Sequence, residues 1–329
     1  MHEGVLYLTE QDVVSVLDMP TAIDALHGML ISHGHDKVKN VPKALGTWAD
    51  GSSMHSLASV MTEGGYCGFK TWVHTKRGGG SMFSLFDSNN GKLLALIEAR
   101  ALGMQRTAAI TGVATRLLAP GSVRIGALIG TGPQAVTQLA ALAAIRAWEE
   151  IRVYSPTPEK REAFVQRLAG RYPFVLKVCD SLEHALEGAE VVTTITRAVE
   201  PFVYADHLQA CSHINAVGAI LPGKSEISAE VMRQADLIVV DDKENAHRGS
   251  QELRDLLGTD LSTWGSVSTL SHLLATDFER PANARLTLFK GMGMGLSDLA
   301  VASRVYTLAT QRGLGIPLPA QTRENLLMN

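Results

Sequence analysis

The sequence predicts an α/β protein that combines a doubly wound parallel sheet with an α+β domain, and three observations support this. After residue 119, short apolar segments alternate with helical patterns, as in a parallel sheet covered by helices on both faces. Before it, short apolar segments follow one another and include a hairpin signature at residues 88–91, which indicates an antiparallel or mixed sheet with flanking helices. A long amphipathic helix over 296–312 comes last, and we expect it to cross back onto the first domain.

The individual elements follow from caps, breaks and apolar spacing. Residues 9–33 have helical spacing, in which Thr9 is placed to cap a first helix, Pro20 to break it and Thr21 to cap a second. Strands are then expected within 44–48, 54–61, 67–74, 81–87 and 92–98, before a helix over 99–118. The alternating part predicts strands at 123–129, 151–155, 174–178, 190–195, 212–217 and 236–241, with helices around 133–146, 157–169, 181–187 and 228–234.

Composition excludes several classes of protein. The chain has 329 residues with a net charge of −3 and no basic block, so we expect no nucleic-acid partner. The three cysteines are too few and too scattered for a disulfide framework or a zinc site, and the histidines have no metal spacing, so we expect no metal. The N-terminus lacks the pattern of a signal peptide, and no apolar run reaches the length of a membrane span. We therefore expect a cytoplasmic protein that does not bind membranes.

A glycine-rich turn follows the first strand of the alternating part. Gly130 can make the tight turn, Gly132 lets backbone approach a pyrophosphate, and Ala135 is small enough for a helix to pack closely on the strand. Pro133 is well suited to the first turn of the helix that follows, whose N-terminal N–H groups face the anion. Since strand, turn and helix occur together, the pattern predicts a dinucleotide-binding Rossmann unit.

The end of the second strand indicates which dinucleotide is preferred. A carboxylate there would bind the ribose 2′-hydroxyl and repel a 2′-phosphate, but this chain has Ser155, followed by Thr157, Lys160 and Arg161. A hydroxyl pair beside two cations favours a phosphate. We therefore predict NADP(H) as the preferred cofactor and NAD(H) as the alternative. The competing interpretation is that Lys160 and Arg161 are solvated residues in the first turn of a helix.

Three further residues are candidates for chemistry, each with a structural alternative. Arg106 lies on a helix that leads towards the nucleotide domain, where a guanidinium could bind a substrate carboxylate or simply form a surface ion pair. Lys70 lies inside an apolar strand on the face opposite Phe69, so it could act as an acid or base in a pocket or be an edge-strand lysine. Met292 lies in a glycine-rich stretch that either begins the last helix or closes over a nicotinamide.

Several stretches, taken jointly and in this order, resemble the ornithine cyclodeaminase/mu-crystallin family over nearly the whole chain. They are Gly68-Phe69-Lys70, Arg106-Thr107-Ala108-Ala109, Gly130 to Ala135, Asn215 to Ala219 with Pro222-Gly223-Lys224, and Lys290-Gly291 before Asp298-Leu299-Ala300. The joint pattern is much more specific than any one of these stretches.

The resemblance implies a homodimer whose subunits have two domains. A substrate-binding and dimerisation domain would comprise 1–118 with 305–329, and a Rossmann dinucleotide-binding domain would comprise 119–304. Lys70 would then be the proton donor or acceptor and Arg106 the carboxylate anchor, the two catalytic and substrate-binding residues. The residues expected to bind the cofactor are Thr107, Gly130, Thr131, Gly132, Pro133, Gln134, Ala135, Ser155, Thr157, Lys160, Arg161, Thr194, Val217, Gly218, Lys224 and Met292.

Two departures from the family pattern narrow the expected activity. Ile220 stands where cyclodeaminases usually have an aspartate that handles the amine and water of ring closure. Lys43 stands where the family often has an arginine. It keeps the positive charge but lacks the bidentate fork of a guanidinium, so it is a weaker candidate than Arg106 for binding the substrate carboxylate. We expect an NAD(P)H-dependent reductase of an α-imino acid, either a cyclic ketimine or a small acyclic imine such as iminosuccinate, or the reverse dehydrogenation. The alternatives are an ornithine cyclodeaminase-like lyase with recycled NAD and a non-catalytic, nucleotide-bound ligand-binding protein.

Overall fold

The computed structural model describes residues 4–319, which form two compact units. Within these residues the first unit comprises 4–18, 36–103 and 295–319, and the second comprises 19–35 and 104–294. The boundaries predicted above differ from these at residues 19–35, 104–118 and 295–304. Residues 320–329, which we predicted to belong to the substrate-binding domain, lie outside the described residues. The division of substrate binding, dimerisation and cofactor binding between two domains remains a prediction.

The described residues contain fifteen strands and eleven α-helices. The strands are β1 (Val5–Leu8), β2 (Val38–Thr47), β3 (Ser53–Met61), β4 (Tyr66–Thr75), β5 (Gly78–Asp87), β6 (Leu93–Glu98), β7 (Ile125–Ile129), β8 (Glu150–Tyr154), β9 (Val175–Val178), β10 (Val191–Thr194), β11 (His213–Ala216), β12 (Leu237–Val240), β13 (Val267–Thr269), β14 (Thr287–Lys290) and β15 (Ile316–Leu318). The helices are α1 (Glu10–Val16), α2 (Met19–Gly34), α3 (Arg100–Leu118), α4 (Pro133–Ile145), α5 (Pro158–Leu168), α6 (Leu182–Leu186), α7 (Ala229–Gln234), α8 (Lys243–Gly249), α9 (Gln251–Leu257), α10 (Leu270–Ala275) and α11 (Gly295–Arg312).

The first unit is built on a mixed, seven-stranded sheet in the order β15-β1-β6-β5-β4-β3-β2. Strands β2 to β6 form an antiparallel meander, and only β1 pairs in parallel, with β6. Along β4, Phe69 is exposed whereas Lys70 is buried, which confirms that they lie on opposite faces. Helix α11 packs on β2 to β5, and a Cβ at Gly295 would lie 2.4 Å from the carbonyl oxygen of Ala58. The start of α11 therefore lies directly against β3.

The second unit contains an eight-stranded, fully parallel sheet in the order β13-β12-β14-β11-β10-β7-β8-β9. The predicted doubly wound fold is thus confirmed. Along β7, Ala127 and Ile129 pack in the core on one face of the sheet and Leu128 in the core on the other. This double burial explains why the strand is apolar throughout.

Two details of the predicted elements are corrected. Thr9 caps α1 in a capping box with Asp12, as expected. Thr21, however, is not a cap, because α2 already begins at Met19. Its first turn includes Pro20, and proline is tolerated there because a backbone N–H in the first turn has no partner within the helix. Strands β1, β13, β14 and β15 were not predicted, and β14 lies centrally, between β11 and β12.

No single helix in the described residues is long and apolar enough to cross a membrane. Helices α1 and α2 reach the necessary length and composition only when they are taken together across their bend. Residues 4–319 also contain no group of three or more His, Cys, Asp or Glu side chains placed to hold a metal ion.

The burial of His213 on β11 predicts how the free energy of unfolding depends on pH. Burial lowers the pKa of His213 to about 4, and hydrogen bonds link its ring to Thr287 and Asn215. The unfolded chain takes up a proton below its ordinary pKa of about 6.5. The stability that comes from a neutral His213 is therefore present above pH 6.5 and is lost as the pH falls towards 4. Between about pH 7.5 and pH 5 this loss is about 2 kcal/mol.

We expect His213→Gln to remove this part of the pH dependence of the free energy of unfolding, measured by urea denaturation. His184→Gln, at an exposed histidine of the same unit, is the matched control and should retain it. The assignment is wrong if both variants lose stability with falling pH as steeply as the unaltered protein.

Candidate active site

The predicted cofactor-binding residues of the second unit follow strands whose carboxyl ends meet at one edge of the parallel sheet. Strand β7 lies between β10 and β8, so the connections diverge to its two sides at this point. Ligands of open parallel sheets bind in the crevice beyond such a switch point. The residues concerned follow β7 (Gly130 to Ala135), β8 (Ser155 to Arg161), β10 (from Thr194), β11 (Val217 and Gly218) and β14 (Met292).

The glycine turn after β7 has the geometry that a pyrophosphate requires. Gly130 has a φ of +117°, and a Cβ there would lie 2.6 Å from the carbonyl oxygen of Ile195. Gly132 caps α4, and a Cβ at this position would meet nothing within 4 Å, so the space in front of the helix is open. Pro133 and Gln134 form the first turn of α4, and Ala135 is fully buried behind them. The N-terminus of α4 is therefore accessible to an anion.

The end of β8 joins hydroxyl groups to a buried guanidinium. Ser155 Oγ lies 3.1 Å from Thr131 Oγ1, which connects this strand to the glycine turn. Arg161 is only 7% exposed and donates from Nη1 to the Ser155 carbonyl oxygen at 3.0 Å. The interpretation of Arg161 as a solvated residue is therefore wrong, whereas Lys160 is exposed. Thr157 caps α5 through its backbone.

A buried carboxylate that we did not predict, Glu226, connects the loops after β10 and β11. It accepts five hydrogen bonds: from the Thr194 hydroxyl, from the backbone and hydroxyl of Thr196, and from the N–H groups of Gly218 and Ala219, over 2.7–3.1 Å. A Cβ at Gly218 would lie 2.4 Å from Glu226 Oε1, so glycine is required there. A single side chain therefore holds the two loops in one arrangement. We call Glu226 together with the loops after β10 and β11 the carboxylate cradle.

A second buried carboxylate, Glu252, connects this cradle to the central strand β14. Its Oε1 accepts from the N–H groups of Glu226 and Ile227 at 2.7 and 3.0 Å, and its Oε2 forms an ion pair with Lys290. Both side chains of the ion pair are almost completely buried. Such a pair is stable only while both charges are present, because either one alone would be buried without compensation.

The loop after β14 is held by a third buried carboxylate and contacts Arg106. Asp241 accepts from the N–H groups of Met292 and Gly293, and burial raises the pKa of Asp241 to about 6. Gly293 has a φ of +85°, and a Cβ there would lie 2.9 Å from Arg106 Nη1. The structure thus brings Arg106 and the Met292 loop together. The carbonyl oxygen of Thr107, next in the chain, accepts from Gln138 Nε2 at 3.4 Å.

Two residues near this edge have surroundings that differ from the expectation. The Lys224 amine donates to the carbonyl oxygen of Arg197 at 3.3 Å, so it stabilises the loop after β10. Ile220 is 43% exposed. The loop that would supply a carboxylate in a cyclodeaminase presents an aliphatic side chain instead.

The predicted substrate residues of the first unit, Lys70 and Lys43, lie around one aromatic ring. The Lys70 amine lies 5.4 Å and the Lys43 amine 5.6 Å from the centre of the Trp72 ring, on which His55 stacks at 4.4 Å. Burial, followed by the charges of Lys43 and His74, lowers the pKa of His55. Lys70 Nζ also donates to Asp298 Oδ1 at 3.0 Å. This cluster of basic groups is suited to an acidic substrate.

The carboxylates that hold these groups were missed because a buried acidic residue looks like a surface residue in sequence. Only Asp241 gave a usable signal, since it directly follows the apolar segment of β12. Glu226, Glu252 and Asp298 are recognised by their burial and their partners, which a single sequence does not reveal.

The fold and this edge of the sheet define a Rossmann-like protein of the dinucleotide-binding class. Comparison with known proteins agrees: the pattern of the ornithine cyclodeaminase/mu-crystallin family matches residues 5–313. The chain therefore belongs to the ornithine cyclodeaminase/mu-crystallin family, as the resemblance predicted.

Similar proteins include one known by sequence and two known by structure. The ketimine reductase mu-crystallin of Mus musculus is 34% identical over 223 residues, which cover 68% of this chain and 67% of the relative. The structure of Thermococcus litoralis Δ1-pyrroline-2-carboxylate reductase in complex with NADH and L-proline matches at 25% identity with a TM-score of 0.89, covering 95% of this chain and all of that one. An archaeal alanine dehydrogenase dimer with bound NAD matches at 26% identity with a TM-score of 0.88, covering 95% and 98%.

The carboxylate cradle makes a prediction that can be measured without a substrate. Glu226→Gln keeps the shape of the side chain but replaces an acceptor with an NH₂ group that faces backbone donors. We expect it to lower the free energy of unfolding by about 2–3 kcal/mol and to raise the Kd for NADPH several-fold, measured by nucleotide fluorescence. Glu200→Gln, at an exposed position of the same unit, should change neither value. An unchanged Kd for NADPH in Glu226→Gln would separate the cradle from the nucleotide site.

Proposed function

We propose that this protein is an NAD(P)H-dependent reductase that converts an α-imino acid to the α-amino acid, or catalyses the reverse dehydrogenation. The observation on which this rests is the open N-terminus of α4 behind the Gly130 turn, at the switch point of the parallel sheet. A dinucleotide bound there would supply the hydride. The relatives described above act as a ketimine reductase and a pyrroline-2-carboxylate reductase, which supports the same reaction here.

Two residues are proposed to act on the substrate itself. Arg106 would bind the α-carboxylate through its guanidinium fork, and it lies beside Gly293, which has a positive φ. Lys70 would donate a proton to the nitrogen as the carbon receives the hydride, which leaves a neutral amine on Lys70. Lys43, close to the same Trp72 ring, is a weaker candidate for the carboxylate because an ammonium group cannot form the bidentate fork.

The structure of the Ile220 loop favours a reductase over a cyclodeaminase. An isoleucine side chain can neither hold an ammonium group nor move a proton, and Ile220 is exposed rather than packed in the core. Lys70, buried and paired with Asp298, can supply the proton that a reductase needs and that a ligand-binding protein without turnover does not. Lys70 and Asp298 therefore favour catalysis.

We also propose a preference for NADP(H). Ser155 and Thr131 present hydroxyl groups where a carboxylate would repel a 2′-phosphate, and Lys160 is exposed one residue before the buried Arg161. The Arg161 guanidinium also donates a hydrogen bond to the Ser155 carbonyl oxygen. A substitution of Arg161 would therefore change the local structure as well as any contact with a phosphate. The residue that tests the preference most directly is therefore Ser155.

A homodimer is the proposed assembly, and an apolar sheet face of the first unit supports it. Val41, Met54, Phe69 and Val73 lie on one face of adjacent strands β2 to β4 and are 44–56% exposed. Exposed apolar side chains that are grouped on one face of a sheet favour an interaction site. A second copy of this chain is the proposed occupant, and the archaeal alanine dehydrogenase is described as a dimer.

The cofactor preference can be reversed by one substitution. Ser155→Asp places a carboxylate at the end of β8, where it would repel the 2′-phosphate and accept a hydrogen bond from a free ribose hydroxyl. We expect the ratio of kcat/KM for NADPH to that for NADH to fall by about tenfold or more, which corresponds to about 1.5–3 kcal/mol. Ser262→Asp, at an exposed position of the same unit, is the control. Equal kcat/KM values for the two cofactors in the unaltered protein would contradict the preference.

The reaction is tested by NADPH oxidation with cyclic imines, and with pyruvate, glyoxylate or oxaloacetate plus ammonia. We expect net oxidation with at least one of these substrates, and a loss of kcat of about 10²-fold or more in Lys70→Ala. Lys39→Ala, at an exposed lysine on β2, should keep full activity. A loss below about tenfold would remove Lys70 from the acid role. Ammonia release from ornithine without a change in nicotinamide absorbance would instead identify a lyase.

A further inference from the structure

The Lys70 amine is held from two sides within the first unit. Its Nζ lies 3.0 Å from Asp298 Oδ1, on the first turn of α11. On another side, a Cβ added to Gly103 of α3 would lie 2.5 Å from the same Nζ. The amine therefore lies between α11 and α3 and occupies the volume that a Cβ at position 103 would fill.

Two features surround the Lys70 amine, the buried carboxylate of Asp298 and the glycine at position 103. Each of them by itself is unfavourable for folding. Asp298 is fully buried, and a buried carboxylate is strongly destabilising without a partner. Gly103 lies inside a helix, where alanine is the better residue. Both features are explained if they serve to place a protonated Lys70, because the carboxylate stabilises the ammonium form and the glycine leaves room for it.

We propose that Asp298 is the positioning residue of the catalytic acid. It holds Lys70 as an ammonium group beside α3, in the place from which the proton would be transferred to the substrate. When the hydride bonds to the imine carbon, the C=N π electrons take a proton from Lys70 to form the amine, and Lys70 regains a proton from water. The proton comes from Lys70, and none is transferred to Asp298 in this step. This inference rests on the proposed reductase function.

Other charged groups around Lys70 act in the opposite direction. Lys43 lies close to the Trp72 ring that Lys70 also contacts, while His55 stacks on that ring and interacts electrostatically with Lys43 and His74. Positive neighbours disfavour another ammonium group, and Asp298 is the anion that the structure places against it. Removing its charge should therefore make Lys70 lose its proton at lower pH.

The kinetic test uses Asp298→Asn, which retains the shape of the side chain and an oxygen for hydrogen bonding but no charge. We expect kcat for the imine to fall by about tenfold or more at pH 7.5, with KM for NADPH within about twofold. The alkaline limb of the kcat–pH profile should move to lower pH by about one unit or more. Asp298→Glu should restore part of the activity. Asp12→Asn, in the first turn of α1, is the matched control and should leave the profile unchanged.

Gly103→Ala tests the space for the amine independently of charge. The substitution favours the helix, so a merely structural role for Gly103 predicts a Tm that is equal or higher with kcat unchanged. If Gly103 leaves room for the Lys70 amine, kcat falls by about tenfold or more while KM for NADPH stays within about twofold. An unchanged kcat in both Gly103→Ala and Asp298→Asn would overturn the proposal.

A chemical readout separates this proposal from the proposed function. Reductive methylation modifies only neutral amines, so the rate at Lys70, followed by mass spectrometry, reports the neutral fraction. In Asp298→Asn we expect a rate at least about threefold higher than in the unaltered protein, with Lys39 as the internal reference. An equal rate contradicts the ionic role of Asp298. If the methylation rate rises in Asp298→Asn but the unaltered protein reduces no imine, the proposed reductase function is wrong, whereas the ionic pairing of Lys70 with Asp298 is supported.

Discussion

Buried carboxylates that hold backbone N–H groups are the constraint on which this structure depends. A parallel sheet brings many strand ends to one edge, but the loops that follow have no regular hydrogen bonds of their own. Glu226 accepts five hydrogen bonds from the loops after β10 and β11, Glu252 connects Glu226 to the central strand β14, and Asp241 holds the loop that follows β14. Together they determine the form of the edge at which the cofactor is proposed to bind.

The first unit uses the same device for a different purpose. Its sheet buries one face against α11, and Asp298 at the start of that helix meets Lys70 from the middle of β4. A hydrogen bond between oppositely charged groups away from water is strong and directional, so a flexible lysine is reduced to one position. On the opposite face of the same strands, Val41, Met54, Phe69 and Val73 are exposed, and we propose that a second copy of the chain packs there. The two faces of one sheet would then serve two different purposes.

Membership of the ornithine cyclodeaminase/mu-crystallin family leaves several reactions open, and particular side chains distinguish them. Ile220 removes the carboxylate that ring closure would use, while Lys70, Arg106 and the glycine turn keep what imine reduction would use. Ser155 is proposed to distinguish the two dinucleotides in the same way, because it lacks the negative charge that would repel a 2′-phosphate. In each case the specificity is proposed to come from one group rather than from the fold.

The sequence by itself determined the parallel sheet, the glycine turn and the alternation that puts Lys70 opposite Phe69, because each depends on spacing over a few residues. It did not reveal β14, a four-residue strand whose place between β11 and β12 depends on its neighbours in space. Nor did it reveal the burial and the partners of Glu226, Glu252 and Asp298, or show that Arg161 is buried, since an acidic or basic residue has the same local pattern in the core as on the surface. Only the tertiary structure decided these points, because burial and pairing of charges arise from contacts between residues up to 228 positions apart.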